Sequence, residues 1–200
     1  LPEIVGAMDD PAADHAIIPT WFLARRARED VKVALSGDGG DEMFAGHSRY
    51  ASAMRPWWRG GRAMWARGSF DKVPVLRTRP SAWRDGIAAA EARAADSGLS
   101  RLGMAQAVDM DEWLPNDVLL RLDRCLMAHA VEGRTPFLDR GVAEAAFRLP
   151  DGLKLRGGMG QYILRKWLEQ ALPAARPFAP TQGVPVPIGA WIKANGARLG

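Results

Sequence analysis

Seven consecutive residues, Ser36-Gly37-Asp38-Gly39-Gly40-Asp41-Glu42, carry the chain's most concentrated chemistry. Glycines let backbone N–H groups approach an anion without side-chain obstruction. A helix starting behind them adds a favourable dipole. The three carboxylates, Asp38, Asp41 and Glu42, would repel a bare phosphate, but they make sense if Mg²⁺ sits between them and the phosphate oxygens. The physical reading is a nucleotide–Mg²⁺ site at the C-terminal edge of a strand. A tight Gly/Asp turn capping a helix is the plainer alternative, and spacing alone slightly favours it.

A second constellation, Asp123, Arg124, Glu132, Arg134 and Asp139, puts five charges among apolar positions such as Leu126, Met127, Phe137 and Leu138. Charges are seldom buried unless paired, so it reads either as a structural ion-pair network or as a polar cleft for a charged substrate. A third, Gly157 to Arg165, is a glycine-rich turn into a helix with Gln161 and Arg165 one turn apart. Cys125 has His129 at i+4, which permits a Cys–His contact, but a buried structural cysteine is the stronger reading. The three histidines are scattered and no zinc spacing is present.

The elements that must position these residues follow from periodicity and turn chemistry. Helices are expected over Ile17–Asp30, Ser81–Ala95, Leu99–Asp109, Gly141–Phe147 and Met159–Leu172, with another from Pro115 to about His129, Pro115 lying in its first turn. A further helix starts at Asp41. Val31–Leu35 is a β-branched run suited to a buried strand. Glu132–Asp139 reads as a turn, Pro173–Pro187 as an extended tail, and Ile188–Lys193 as a last helix. One clear strand among so many helices predicts that further strands lie elsewhere in a longer protein.

The chain has 200 residues, 48% hydrophobic and 25% charged, enough for a real core. It begins at Leu1 and therefore reads as a piece of something longer or as a trimmed product. A single cysteine rules out a disulfide framework and fits a reducing cytoplasm. No apolar run reaches membrane-span length. The net charge of +4 is local: residues 55–79 carry seven positive charges against one negative. With the tryptophans there, this stretch could form a nucleic-acid patch, but a solvated basic loop whose tryptophans pack on the body is the better reading.

Taken in order, the blocks LPEIVGAMDDP (1–11), VKVALSGDGGDEMFAGHSRY (31–50), WLPNDVLLRLDRCLMAHAVEGRTPFLD (113–139), LPDGLKLRGG (149–158) and VPVPIGAW (184–191) resemble the asparagine synthetase family over nearly the whole chain. The resemblance implies an α/β fold of the PP-loop ATP-pyrophosphatase kind. This 1–200 portion would be the C-terminal part of the synthetase domain, mostly helical with one or two parallel strands. It also implies ATP and Mg²⁺, with aspartate adenylated on its side-chain carboxylate and ammonia from glutamine displacing AMP. It leaves room for a homodimer in the full-length protein, and gives no role to nucleic acid or membrane. By the same resemblance Ser36, Gly37 and Asp38 lie at the ATP, Asp41 is a Mg²⁺ ligand, and Glu132 with Arg134 lines the aspartyl-adenylate pocket.

Three departures accompany it. The glutaminase domain and the Ser-Gly-Gly-x-Asp-Ser pyrophosphate loop are absent from this sequence. Gln161 stands where the family usually has Lys, and losing one such stabiliser costs on the order of 2.7–4 kcal/mol. Lys166 lies on a different side of its helix and should not substitute. The stretch Ala179-Pro180-Thr181-Gln182-Gly183-Val184-Pro185 lacks the basic residue and Gly-Phe pair usual there. These features support two other readings: a chain that folds or joins a partner without catalysis, and a related β-lactam-forming or peptide-cyclising ligase.

Overall fold

The computed structural model describes residues 2–8, 14–65, 82–179, 186–187, 189–191 and 193–194. In chain order the elements are α1 (Pro2–Ala7), α2 (Ile17–Ala27), β1 (Val33–Leu35), α3 (Gly40–Met43), α4 (Ser48–Met54), α5 (Asp85–Ala95), α6 (Arg101–Val108), a π-helical segment Asp109–Leu119, α7 (Leu120–Met127), β2 (Glu132–Arg134), α8 (Arg140–Arg148), α9 (Asp151–Lys154) and α10 (Tyr162–Ala171). Short 3₁₀ turns cover Trp57–Arg59, Pro136–Leu138 and Pro173–Ala175. The described residues are mostly helical with one two-stranded parallel sheet among them. Among the described residues no helix is long and apolar enough to cross a membrane.

The chain divides into two compact units. The first holds residues 1–36, 117–134 and 179–200. In it Ile17, Trp21 and Ala24 recur at helical spacing and give α2 its buried face. Trp21 and Ile17 pack on Ile4 and Cys125, while Ala24 packs on Leu126 and Val131. β1 and β2 run in parallel with Val33 opposite Glu132 and Leu35 opposite Arg134. Side chains alternate across a strand, so only Ala34 turns toward the core of Ala24, Leu126 and Val131.

The second unit holds residues 37–116 and 135–178. Met43, Phe44 and Ala146 form one cluster, with Phe137, Leu138 and Ile163 against it. Ala45, Tyr50 and Leu102 form a second, and Ala90, Ala94 and Val108 a third, where small side chains let α5 and α6 lie close. Ser100 caps α6 by accepting from Gly103 N–H at 3.0 Å, and its hydroxyl donates to Asp151 at 2.8 Å.

Several expectations are corrected here. The strand expected to be buried is exposed, Val33 by 48% and Leu35 by 77%, because among the described residues its outward face has no layer over it. Glu132–Arg134 is a strand, since backbone pairing with β1 supplies what its composition does not. Pro115 lies inside continuous helix, not in a first turn; the wide π turns accommodate a ring that would break an α-helix. The proline tail opens with a 3₁₀ turn and is not uniformly extended. Trp57 and Trp58 stand 81% and 68% exposed, whereas Trp65 packs as expected, against Trp113 and the Ala90, Ala94 and Val108 cluster. The rest of the basic stretch (66–81) and residues 180–185 lie outside the described residues. Of the expected last helix, Trp191 N–H donates to Pro187 O at 3.0 Å.

Cys125 is fully buried and its Sγ donates to Ile17 O at 3.7 Å. His129 instead packs its ring edge-on against Trp21, with centroids 4.5 Å apart. Burial pushes the Cys125 thiol up to about 11, against a smaller lowering by Arg121. The folded state therefore favours the neutral thiol. That contribution is fully present below the ordinary value of 9.0 and is lost as pH rises through about 11. In urea titrations the wild-type midpoint should fall more steeply across this window than that of Cys125→Ala. Equal slopes for the two proteins would show that the thiol is not the titrating group.

Candidate active site

The glycine and acid residues of the first motif fold into a turn whose inner side is packed and whose outer side is open. Gly40 N–H donates to Gly37 O at 3.1 Å. Gly39 has φ +88°, and a Cβ there would sit 2.3 Å from Leu138 Cδ2. A Cβ on Gly37 would meet nothing within 4 Å, so the backbone at this residue faces open space. The expected helix behind the loop is a single turn, α3, too short to build the dipole that the sequence suggested.

A second turn, 120 residues further on, closes on this one. Gln161 adopts a left-handed conformation, φ 55°, at the start of α10, and its N–H donates to Phe44 O at 2.8 Å. Its side-chain Nε2 donates to Asp41 Oδ1 at 2.6 Å. The approach is so close that a Cβ on Gly160 would strike backbone and one on Gly46 would displace the clasped side chains. On Gly46 it would lie 1.7 Å from Asp41 Oδ1, and on Gly160 it would lie 1.9 Å from Ala45 O. Ala45, between them, is fully buried with φ 56°. Arg165, one turn further along the helix, turns back to the carbonyls of Gly160 and Pro177. Lys166 is exposed and pairs with Glu169.

Asp41 is held with one oxygen fixed and the side chain still 47% exposed. Burial raises its pKa, His47 lowers it, and Glu42, Arg49 and Asp38 add smaller opposing effects. Glu42 is the inner carboxylate, 2% exposed, and accepts from His47 Nε2 at 2.8 Å. Burial pushes Glu42 up, but the hydrogen bond and charge of His47 outweigh it and hold the group below its ordinary value. Glu42 is therefore satisfied inside the protein, while Asp41 keeps nearly half of its side chain exposed.

No group of three or more His, Cys, Asp and Glu side chains forms a metal cage among the described residues. Mg²⁺ needs none, since it usually takes one or two carboxylates and completes its shell with water and substrate phosphates. Asp41, with Oδ1 oriented by an amide and a raised pKa that a cation would relieve, fits that part.

In the other unit Ser36 N–H donates to Arg134 O at 2.8 Å, extending the β1–β2 pairing by one residue. Glu132 and Arg134 lie two residues apart on β2 and so share a face. Their side chains pair at 2.6 Å and are exposed. A surface pair of this kind is worth about 0–1 kcal/mol, so its groups can exchange partners for a substrate's charges. Asp139, a further member of that constellation, caps α8 by accepting from Gly141 N–H at 2.8 Å.

Sequence reasoning missed His47, Gln106 and Lys154. Gln106 and Lys154 are 0% and 1% exposed and lie beneath the acidic loop. The available signal was a polar residue at an apolar position: Gln106 one turn from Leu102 on α6, and Lys154 between Leu153 and Leu155.

The asparagine synthase family model matches residues 1–199. A Mycobacterium tuberculosis protein provisionally named asparagine synthetase [glutamine-hydrolyzing] is 33% identical over a 233-residue alignment, covering 98% of this chain and 36% of the relative. "Asparagine synthetase [glutamine-hydrolyzing] 1" of Bacillus subtilis is 32% identical, with 96% and 37% covered. The yeast (Saccharomyces cerevisiae) protein of that name is 25% identical over 179 residues, with 86% and 24% covered. The chain thus spans little more than a third of the relatives it matches best among these.

Because burial raises the Asp41 pKa, its ionisation costs stability, and this cost is present once pH exceeds the folded value. Asp41→Asn, which still accepts from Gln161, should raise the thermal midpoint at neutral pH. MgCl₂ should raise the wild-type midpoint and leave that of the variant where it was. A Mg²⁺ effect of equal size on both proteins would remove Asp41 from the metal site.

Proposed function

The chain belongs to the asparagine synthase family, and from that premise we propose that it forms part of an ATP-dependent amidoligase that converts aspartate to asparagine through an aspartyl-adenylate. The nitrogen would come as ammonia released from glutamine, and the complete protein would have the α/β PP-loop architecture. The observation that carries the reading is the clasp of Asp41 by Gln161 at the rim of an open glycine turn.

In this reading Ser36, Gly37 and Asp38 meet the ATP, and the absence of a side chain at Gly37 lets backbone approach the phosphates. Asp41 would hold Mg²⁺, which when bound supplies the positive charge that lets polyphosphate lie beside carboxylates. Gln161 does not bring charge to the departing pyrophosphate. Its amide is engaged with Asp41, so its work is to fix the carboxylate's direction. Arg134 suits a carboxylate or phosphate and Glu132 an ammonium, which are the charged groups of an aspartyl-adenylate. Their mutual pairing is exposed and weak, so each can exchange its partner for a charged group of the substrate.

A second reading, a chain that keeps the fold and the clasp without turnover, draws on the same Gln161. The two are separated in the full-length protein by Gln161→Lys. Restoring a cation should raise the adenylation rate, measured by ATP–pyrophosphate exchange with aspartate, by about tenfold or more. An unchanged or lower rate would show that position 161 is not where charge is needed, and an absence of exchange in both proteins would support the second reading. The 200-residue chain alone, whose sequence lacks a Ser-Gly-Gly-x-Asp-Ser loop, should form no asparagine from aspartate, ammonia and MgATP. Product detected by amino-acid analysis would overturn that expectation.

A further inference from the structure

The four-residue helix α3 poses a hydrogen-bonding problem. A helix end leaves its last four carbonyls without intrahelical partners, and α3 has only four residues. Gly40 O accepts from Phe44 N–H at 3.0 Å and Asp41 O from Gly46 N–H at 2.8 Å. The remaining two, Glu42 O and Met43 O, accept from a single side chain, Gln106 Nε2 on α6, at 2.5 and 2.9 Å.

The other end of that amide decides the matter. Gln106 Oε1 accepts from Lys154 Nζ at 2.8 Å. An ammonium only donates, so it admits one orientation of the amide. Reversing the amide would aim its NH₂ at the ammonium and its oxygen at two carbonyls. Lys154 itself is 1% exposed, with the Phe147 ring 5.7 Å from Nζ. Burial lowers its pKa, against a smaller raising by Asp151, so holding an ammonium here is costly. A methionine would fill similar space without that cost. Packing alone gives no reason for a lysine.

We propose that Lys154 and Gln106 are positioning residues for the acidic loop: Lys154 fixes the direction of the Gln106 amide, and the amide fixes the backbone that carries Asp41 and Glu42. The link to metal binding rests on the reading of Asp41 given above, but the positioning itself does not.

The test is amide hydrogen exchange by NMR on the whole chain without Mg²⁺ or ATP, comparing wild type with Lys154→Met. The amides of Met43, Phe44, Gly46 and Gln161, all hydrogen-bonded within or onto the loop, should exchange at least about tenfold faster. Those of α5 and the last turn of α10 should keep their rates. Gln106→Glu is the companion variant. It leaves Lys154 an acceptor but turns an oxygen toward the two carbonyls, and should give the same localised loss. Wild-type protection of the loop in Gln106→Glu would overturn the proposal, whether or not Lys154→Met folds. So would an acceleration spread evenly over both α5 and the loop, which would make the lysine a general structural group. Because no metal is present, a failed Mg²⁺ experiment at Asp41 would leave this result standing, and the reverse also holds.

Discussion

The Asp41 carboxylate is gripped at one oxygen and still half exposed, and three segments of the second unit meet to hold it so. A carboxylate wholly in water is not oriented. One wholly buried takes up a proton or a partner, as Glu42 does with His47. The intermediate state is obtained by spending three chain segments on one side chain. The loop supplies the acid, the turn at Gly160 supplies the amide that grips Oδ1, and α6 supplies the side chain that accepts no slack in the backbone beneath. At Gly160 these segments touch backbone to backbone, and Gly46 lies directly under the clasped Asp41 and Gln161 side chains.

Two groups of buried polar side chains in this unit are joined into connected sets. Gln106 takes two carbonyls and a lysine. Asp109 takes the Arg49 guanidinium and the Trp65 indole N–H, both at 2.8 Å, and Arg49 lies over the rings of Trp65 and Trp113. In a low-dielectric interior, satisfied networks of this sort specify one arrangement more sharply than apolar contact does, because a slipped register strands several groups together. The first unit works differently. Its core is apolar packing of α2 on α7, with Cys125 as a small hydrophobe.

What could be read from the sequence was what depends on neighbours along the chain. The Ser36–Glu42 turn was legible because glycine and acid types act locally, and the amphipathic helices because their period is local. β2 was illegible: Glu132-Gly133-Arg134 has no strand composition, and only pairing with a segment about a hundred residues away makes it one. Pro115 was misplaced because its accommodation depends on how the helix around it is wound. Gln161 was singled out as a departure from a family pattern, but that its amide meets Asp41 could not be foreseen from either residue. Gln106 and Lys154 were invisible for the same reason: each looks like an ordinary polar residue until the other is beside it.

The meeting of the two turns also bears on how such a chain can change by mutation. A side chain at Gly160 collides with the opposite turn's backbone, one at Gly46 collides with the Asp41 carboxylate and the Gln161 amide, and Asp41 and Gln161 are each other's partner. Substitutions in residues 41–46 are therefore not independent of those in 160–161, although more than a hundred positions separate them. A lineage exploring one turn alone meets steep fitness valleys, and variants are reached by paired changes. A library for altering this site should randomise both turns in the same molecules, since the best sequences for one are defined only relative to the other.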